Sequence, residues 1–470
     1  MKAFLLLLLT VFVAPAAERP PNLVIIFCDD MGYGDIATQG AKYATPNLDR
    51  LAAEGRRFTN FHVSSAVCSA SRSALLTGCY HNRVGIHGAL GPGSRIGLNP
   101  GETTIAEVLK QKNYATGIVG KWHLGSLPQF LPLRQGFDEW LGLPYSNDMW
   151  PHHPEAKPGA YPDLPMYDGD KVVIPAMTHA DQNEMTTRYT ERAVAFIGKN
   201  KARPFFLYLA HSMPHVPLHV SSKFAGKSGA GLYGDVIQEI DWSVGQVLDA
   251  LKRSGVDDHT WVVFTSDNGP WLSYGEHGGS AGPLREGKGT SWDGGIRVPC
   301  LMRWPGKIPA GTTSDTFLMT IDLLPTIAAQ VGAKLPEHKI DGLDVWPIFS
   351  GAPDARNPHK GYAIWYASNE LQAVTDGRWK LLFPHTYRSM GEQPEAKDGI
   401  PAKYNPVKLA HAELYDIGGD RGESHEASAE HPEIVASLTS FADEMRHELG
   451  DSLTKTKAMA AREPGKIAAP

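Results

Sequence analysis

Four stretches of the chain share one pattern: an unbroken apolar run that stops abruptly at polar residues. Residues 22–28 (Asn-Leu-Val-Ile-Ile-Phe-Cys) end in Asp29-Asp30, and residues 114–120 end in Lys121-Trp122-His123. Residues 205–210 run into a loop bearing His211 and His215, and residues 261–266 end in Asp267-Asn268. Short runs without polar alternation predict strands buried on both faces, as in a parallel sheet. Between them the period changes. Thr45-Pro46 starts a short helical pattern through Leu48, Leu51 and Ala52. Residues 231–254 carry a stripe of Leu232, Val236, Ile240, Val244, Leu248 and Leu251, which predicts a long helix with one buried face. A further strand at 298–304 and a helix at 321–331 complete the unit. Alternating strands and helices predict an α/β architecture, a large mainly parallel sheet sandwiched by helices. Sites in such sheets gather at the carboxyl ends of the strands, where all four polar clusters fall.

Proline-rich turns at 351–358 mark a boundary. Beyond it, short strand patterns at 362–366, 372–375 and 379–383, with a turn at Asp376-Gly377, are followed by Glu413-Leu-Tyr-Asp416 before a Gly/Asp/Glu turn and by an amphipathic helix at 432–449. The expected organisation is a catalytic α/β domain over 18–355 and a smaller C-terminal α+β domain over 356–470, built on a short antiparallel sheet. The tail after Asp451 has little pattern and is expected to be loosely ordered.

Composition narrows the function classes. A net charge of −6 over 470 residues, without basic runs, argues against nucleic acid and against a membrane-surface helix. Residues 1–17 differ: Lys2, the apolar run 3–13 and Ala14-Pro15-Ala16 form a signal-peptide pattern too short to span a bilayer. Export to the periplasm or medium, with no membrane anchor, is the expectation. Four cysteines (Cys28, Cys68, Cys79, Cys300) do not make a disulfide framework in so long a chain, and Cys28 and Cys300 read as core.

Candidate chemistry lies at the polar clusters. Paired carboxylates at Asp29-Asp30 suit a cation, although Asp and Gly are also ordinary turn residues. Lys121 and His123 can face one side of an extended chain. In Val67-Cys68-Ser69-Ala70-Ser71-Arg72-Ser73-Ala74-Leu75-Leu76-Thr77-Gly78, a helix is expected with Cys68 in its first turn and Arg72 one turn on. Free backbone N–H groups beside a cation suggest an activated thiolate; the bland reading is a small buried cysteine. His152 and His153 are read as a solvent-facing or substrate-rim pair more readily than as metal ligands. Two short motifs fail on context. Gly278-Gly-Ser280-Ala-Gly282 lacks the strand that leads into a nucleophile elbow, and 282–289 has Gly289 where a P-loop needs Ser or Thr. Lys288 remains a cation in a glycine frame.

Cys-x-Ala-Ser-Arg followed by Leu-Thr-Gly resembles the signature of the type I sulfatases, within the alkaline phosphatase superfamily. The usual family form has Pro where this chain has Ala70. The clusters line up in family order from Asp29 to Lys288. Gly142-Leu-Pro-Tyr-Ser146 and Met213-Pro-His215 are similar to the branch of arylsulfatase A and N-acetylgalactosamine-6-sulfatase. The resemblance implies that a formylglycine-generating maturase oxidises Cys68 to formylglycine, whose aldehyde hydrate is the nucleophile. It also implies one calcium ion held by Asp29, Asp30, Asp267, Asn268 and the modified Cys68. Lys121 and Lys288 would hold the sulfate and Arg72 orient the nucleophile, with Asp267 as base. His215 would supply the leaving-group proton and His123 assist release of sulfate, while Ser146 lines the site. The implied substrate is a sulfated saccharide or aryl sulfate, for which Trp150, His152, His153, Trp271, Tyr274 and Trp292 are either a cleft rim or ordinary packing. The rival expectations are a phosphodiester or phosphonate monoester hydrolase of the same superfold, and a non-catalytic calcium- or glycan-binding protein in which Cys68 stays unconverted.

Overall fold

The computed structural model describes residues 19–391, 393 and 396–467; the expected signal peptide at 1–17 lies outside the described residues. Ten strands form one sheet in the order Thr312–Ser314, Arg56–Phe58, Cys300–Arg303, Thr260–Ser266, Asn22–Cys28, Phe205–Ala210, Ala115–Gly120, Glu139–Gly142, Met166–Asp168, Lys171–Ile174. The five central strands, Thr260–Ser266 to Glu139–Gly142, pair in parallel. Antiparallel pairs occur on both flanks, so the sheet is mixed with a parallel heart.

Alternation along Asn22–Cys28 sorts two cores. Val24, Ile26 and Cys28 face the helices Pro46–Glu54, Met185–Asn200 and Gly231–Arg253. Leu23, Ile25 and Phe27 face the helices Cys68–Thr77, Ile105–Lys110 and Leu323–Val331. Burial on both faces is why these strands read as continuous apolar runs. Parallel register aligns their ends: Cys28 is opposite Ser266, and Ala210 is opposite both Phe27 and Gly120. Asp29, Asp267 and Lys121 therefore leave the sheet at one edge. Gly120 permits this crowding. Its φ is +117°, and a Cβ there would lie 1.8 Å from the Ala210 carbonyl oxygen.

Beyond residue 355, the strands Tyr362–Tyr366, Glu370–Thr375, Trp379–Leu382 and Glu413–Asp416 form an antiparallel sheet in that order. The helix Pro432–Leu449 packs on it. Trp365, Leu381, Leu414 and Leu438 join the same apolar core as Leu23 and Leu75, so the smaller sheet is fused to one side of the large one. A separate hairpin, His385–Ser389 with Asn405–Leu409, reaches back over the large unit.

The tail corrects an expectation. It is held by its partners rather than loose: Arg462 pairs with Glu102, and Gly465–Lys466 ladders onto Ile96–Gly97. Scattered ion pairs and a two-residue ladder leave no periodicity to read.

Candidate active site

The helix Cys68–Thr77 begins at the candidate nucleophile, with Val67 extended as its N-cap and Gly78 left-handed at its end. Cys68 therefore sits where backbone N–H groups lack helical partners and the helix dipole favours negative charge. Arg72, one turn on, is completely buried and donates to Asp267 Oδ2 through Nε at 3.0 Å and Nη2 at 2.7 Å. A third bond runs from Nη1 to the Lys121 carbonyl at 3.3 Å. One helical arginine thus ties two strand ends together.

Around residue 68 the buried charges balance, with Asp29, Asp30 and Asp267 against Arg72, Lys121 and Lys288. The Lys121 ammonium bonds Asp29 and donates to Ser146 Oγ at 3.0 Å. Lys288 Nζ lies 2.7 Å from Asp30 Oδ2 and 3.0 Å from His215 Nε2, and stands 4.1 Å from the Trp271 ring centroid. Asn268 Nδ2 donates to Asp30 Oδ1 at 2.7 Å, and the Asp30 amide donates to Asp267 Oδ1 at 3.0 Å. Every sequence-nominated site residue is buried and belongs to this assembly, His123 at its edge.

The electrostatics divide the carboxylates. Burial opposes ionisation of Asp29, but Lys121, His215 and Arg72 outweigh it and hold its pKa well below the ordinary value. Asp267 is pushed up to about 7 by burial and then by the charge of Asp29, against Arg72. The three resident cations thus do not fully stabilise all three carboxylates. Two oxygens are also orphaned: Asp29 Oδ1 and Asn268 Oδ1 are buried without a hydrogen-bond partner. Each such atom costs roughly 1–3 kcal/mol. Ligand atoms of Asp29, Cys68 and Asp267 lie within 4.8 Å of one another, as do those of Asp29, Asp30 and His215. Hard oxygen donors, two of them unsatisfied, fit a divalent cation of the calcium type.

Two details go against simple sequence readings. Burial pushes the Cys68 thiol up to about 11 despite Lys121 and Lys288, the opposite of an activated thiolate. His215 carries its proton on Nδ1, which faces the Val216 carbonyl at 2.6 Å, and Nε2 accepts from Lys288. Burial and Lys288 lower its pKa, so at rest the mobile proton of the pair sits on Lys288. His123 is likewise neutral, its pKa lowered first by burial and then by Lys121 and Arg72. Its Nε2 faces the Leu90 carbonyl at 3.0 Å, so that nitrogen carries the proton and the buried, unpartnered Nδ1 is a bare acceptor. The Leu90 amide in turn donates to Ser69 Oγ, next to Cys68.

A cleft of about 750 Å³ adjoins the cluster, lined by Asp148, His153, Trp271, Tyr274, Arg388 and Tyr404 among others. The nominated aromatic rim therefore splits. Trp271, Tyr274 and His153 line the cleft, whereas Trp292 is fully buried against Arg285, Tyr387 and Tyr415. Trp150 is equally buried, ringed by His152, His179 and His219. Large amphipathic rings serve either purpose, and sequence does not separate the two. Sequence reading missed Asp148, whose pKa burial would raise but His215 and a bond to Ser146 bring below the ordinary value, and it missed Arg388. Asp148 stands two residues after Ser146, just past the run 142–146 that carries the resemblance, so its position carried a signal; Arg388 carried none.

The sulfatase family model matches residues 21–333, two thirds of the chain and every residue of the charged cluster, Lys288 included. The chain belongs to the sulfatase family. A second model, N-sulphoglucosamine sulphohydrolase C-terminal, matches residues 287–391. Bovine (Bos taurus) arylsulfatase A is 40% identical, covering 90% of this chain and 87% of its own. Mouse (Mus musculus) N-acetylgalactosamine-6-sulfatase is 37% identical, covering 91% and 85%. Among solved structures, Ps i-CgsB in complex with k-i-k-neocarrahexaose superposes with a TM-score of 0.75 at 30% identity, covering 91% of this chain and 93% of that one. This sulfatase is thus an enzyme that hydrolyses sulfate esters, and its large mixed sheet with a smaller antiparallel one is the fold of its relatives.

Proposed function

We propose that this enzyme is an exported, formylglycine- and calcium-dependent sulfatase acting on a sulfated saccharide. The observation that carries the reading is the meeting of residue 68 with Asp29 and Asp267 within 4.8 Å, beside orphaned oxygens on Asp29 and Asn268 and in front of two buried lysines. Asp29, Asp30, Asp267 and Asn268 would hold the ion, which supplies a fixed positive charge for the sulfate oxygens. Formylglycine at position 68 would supply a nucleophilic hydrate; a thiol has no second hydroxyl with which to expel sulfate afterwards.

The chain's own groups do the rest. Lys121 and Lys288, which meet Asp29 and Asp30 at rest, would hold the sulfate oxygens. Ser146 steadies Lys121. Arg72 orients residue 68 and keeps Asp267 in place to accept its proton. The leaving alcohol takes its proton from the Lys288–His215 pair, help of a kind typically worth ~10²–10⁴ in rate. The bare Nδ1 of His123 accepts the second hydroxyl proton. The saccharide reading is supported by the aromatic and charged lining of the adjoining cleft and by a relative solved with an oligosaccharide. Export rests on residues 1–17, and no helix among the described residues is long and apolar enough to cross a membrane.

The test compares the purified protein on an aryl sulfate and an aryl phosphate diester, with intact-mass analysis of residue 68. Sulfate release by protein of the lower, aldehyde-containing mass, lost in Cys68→Ala, is expected. Preference for the phosphate, or full activity in Cys68→Ala, would overturn the reading.

A further inference from the structure

Lys288 sits on a glycine-framed loop with no secondary structure to hold its side chain, yet its ammonium must be placed to a fraction of an ångström. Its amide donates to the Pro270 carbonyl at 2.9 Å, and the next amide, Gly289, donates to Ala66 at 3.0 Å. Asp30 and His215 meet the Lys288 ammonium, and further support for the loop comes from outside the large unit. Three consecutive residues of the strand His385–Ser389 each hold one residue of the loop. The Tyr387 hydroxyl accepts from Arg285 Nη2 at 3.2 Å, and Ser389 Oγ donates to Glu286 Oε1 at 2.6 Å. Between them Arg388 places two donors on the Lys288 carbonyl, Nε at 2.9 Å and Nη2 closer still. Gly289 is left-handed (φ +81°), and a Cβ there would lie 2.2 Å from Arg388 Nη2. The guanidinium is itself pinned over the Tyr404 ring at 4.6 Å, on the partner strand side of the hairpin.

We propose that Arg388 is a positioning residue: the hairpin of the smaller unit sets where Lys288 presents its ammonium, and Arg388 is the contact that does so. A charged fork on one carbonyl is a strong, directional constraint, stronger than a neutral bond. Because Arg388 and Tyr404 also line the substrate cleft, the same hairpin meets the substrate and holds the lysine that grips its sulfate. This inference rests on the role given above to Lys288.

The experiment is a double-mutant cycle on sulfate-ester turnover with Arg388→Met and Lys288→Ala. Arg388→Met alone should lower kcat/KM roughly tenfold, mostly in kcat, since the lysine acts on charge that develops in the transition state. In the Lys288→Ala background the same change should cost less than roughly twofold. Arg388→Lys, which keeps one donor and the charge, should fold normally and fall between the two; it carries the test if Arg388→Met does not fold. Losses that multiply across the cycle, or wild-type kinetics in Arg388→Met, would show that Arg388 does not act through Lys288. Unchanged kinetics in Lys288→Ala alone would overturn the inference as well, while wild-type turnover of the sulfate ester tests the function independently.

Discussion

Lys380 lies at the seam between the two units, fully buried, with its ammonium 2.9 Å from Asp293 and 2.7 Å from Glu423. Asp293 also meets Arg297 at 3.2 Å, and its amide donates to Glu423 Oε2 at 2.7 Å. Lys380→Met keeps most of the volume and removes the charge, leaving two carboxylates to share one arginine away from water. Breaking a buried pair from one side costs about 3–5 kcal/mol. With an unfolding entropy of ~2.1 cal/mol/K per residue, a chain of 470 residues loses stability at about 1 kcal/mol per degree near its midpoint, so Tm should fall by roughly 3–5 °C. The drop should depend on pH. Burial pushes the Glu423 carboxyl up to about 7, with Lys380 opposing and Asp293 adding. Its folded pKa lies above the unfolded 4.5, so the cost of ionising it is fully present above pH 7 and fades as pH falls toward 4.5. Removing the opposing lysine enlarges that cost, so differential scanning calorimetry should find a larger deficit at pH 8 than at pH 5. A Tm within a degree of wild type, or a deficit that grows on acidification, would refute this account of the seam.

Loss of the divalent ion by chelation should lower Tm and restoring calcium should recover it, by about 2.7 kcal/mol at a hundredfold excess over Kd; an unchanged melting curve would count against the oxygen cluster as an ion site. Lys121→Ala removes the partner of Asp29 and a proposed sulfate ligand together, so kcat/KM should fall by roughly two decades while far-ultraviolet dichroism stays native. Arg462→Ala should leave kcat unchanged and raise protease sensitivity near residues 96–102, because Glu102 loses its bidentate partner; limited proteolysis checks it.

Legibility followed burial. The central strands are apolar on both faces, so their positions and their polar ends could be read directly, and the ends nominated Asp29, Lys121, His215 and Asp267 before any geometry. The flanking strands Arg56–Phe58, Glu139–Gly142, Met166–Asp168 and Thr312–Ser314 are too short for a period to show. The helix Met185–Asn200 was overlooked although Met185, Tyr189, Ala193 and Ile197 mark its buried stripe, since polar residues dilute it. Arg388 lies on a strand whose partner begins at Asn405, with no tight-turn sequence to announce a hairpin, and its role depends on a carbonyl of residue 288. Backbone acceptors leave no trace in side-chain patterns.

Cys68 keeps only 2% of its surface, beneath Arg72 and between segments as distant as 29, 267 and 288. The loop that carries Lys288 is braced by residues 387–389, and the last ladder of the tail closes at 465–466. A catalyst that is to oxidise this side chain must therefore reach it while the later segments are still being made or have yet to dock. On the proposed formylglycine reading, the pace of chain completion would then set how much of the protein carries the aldehyde.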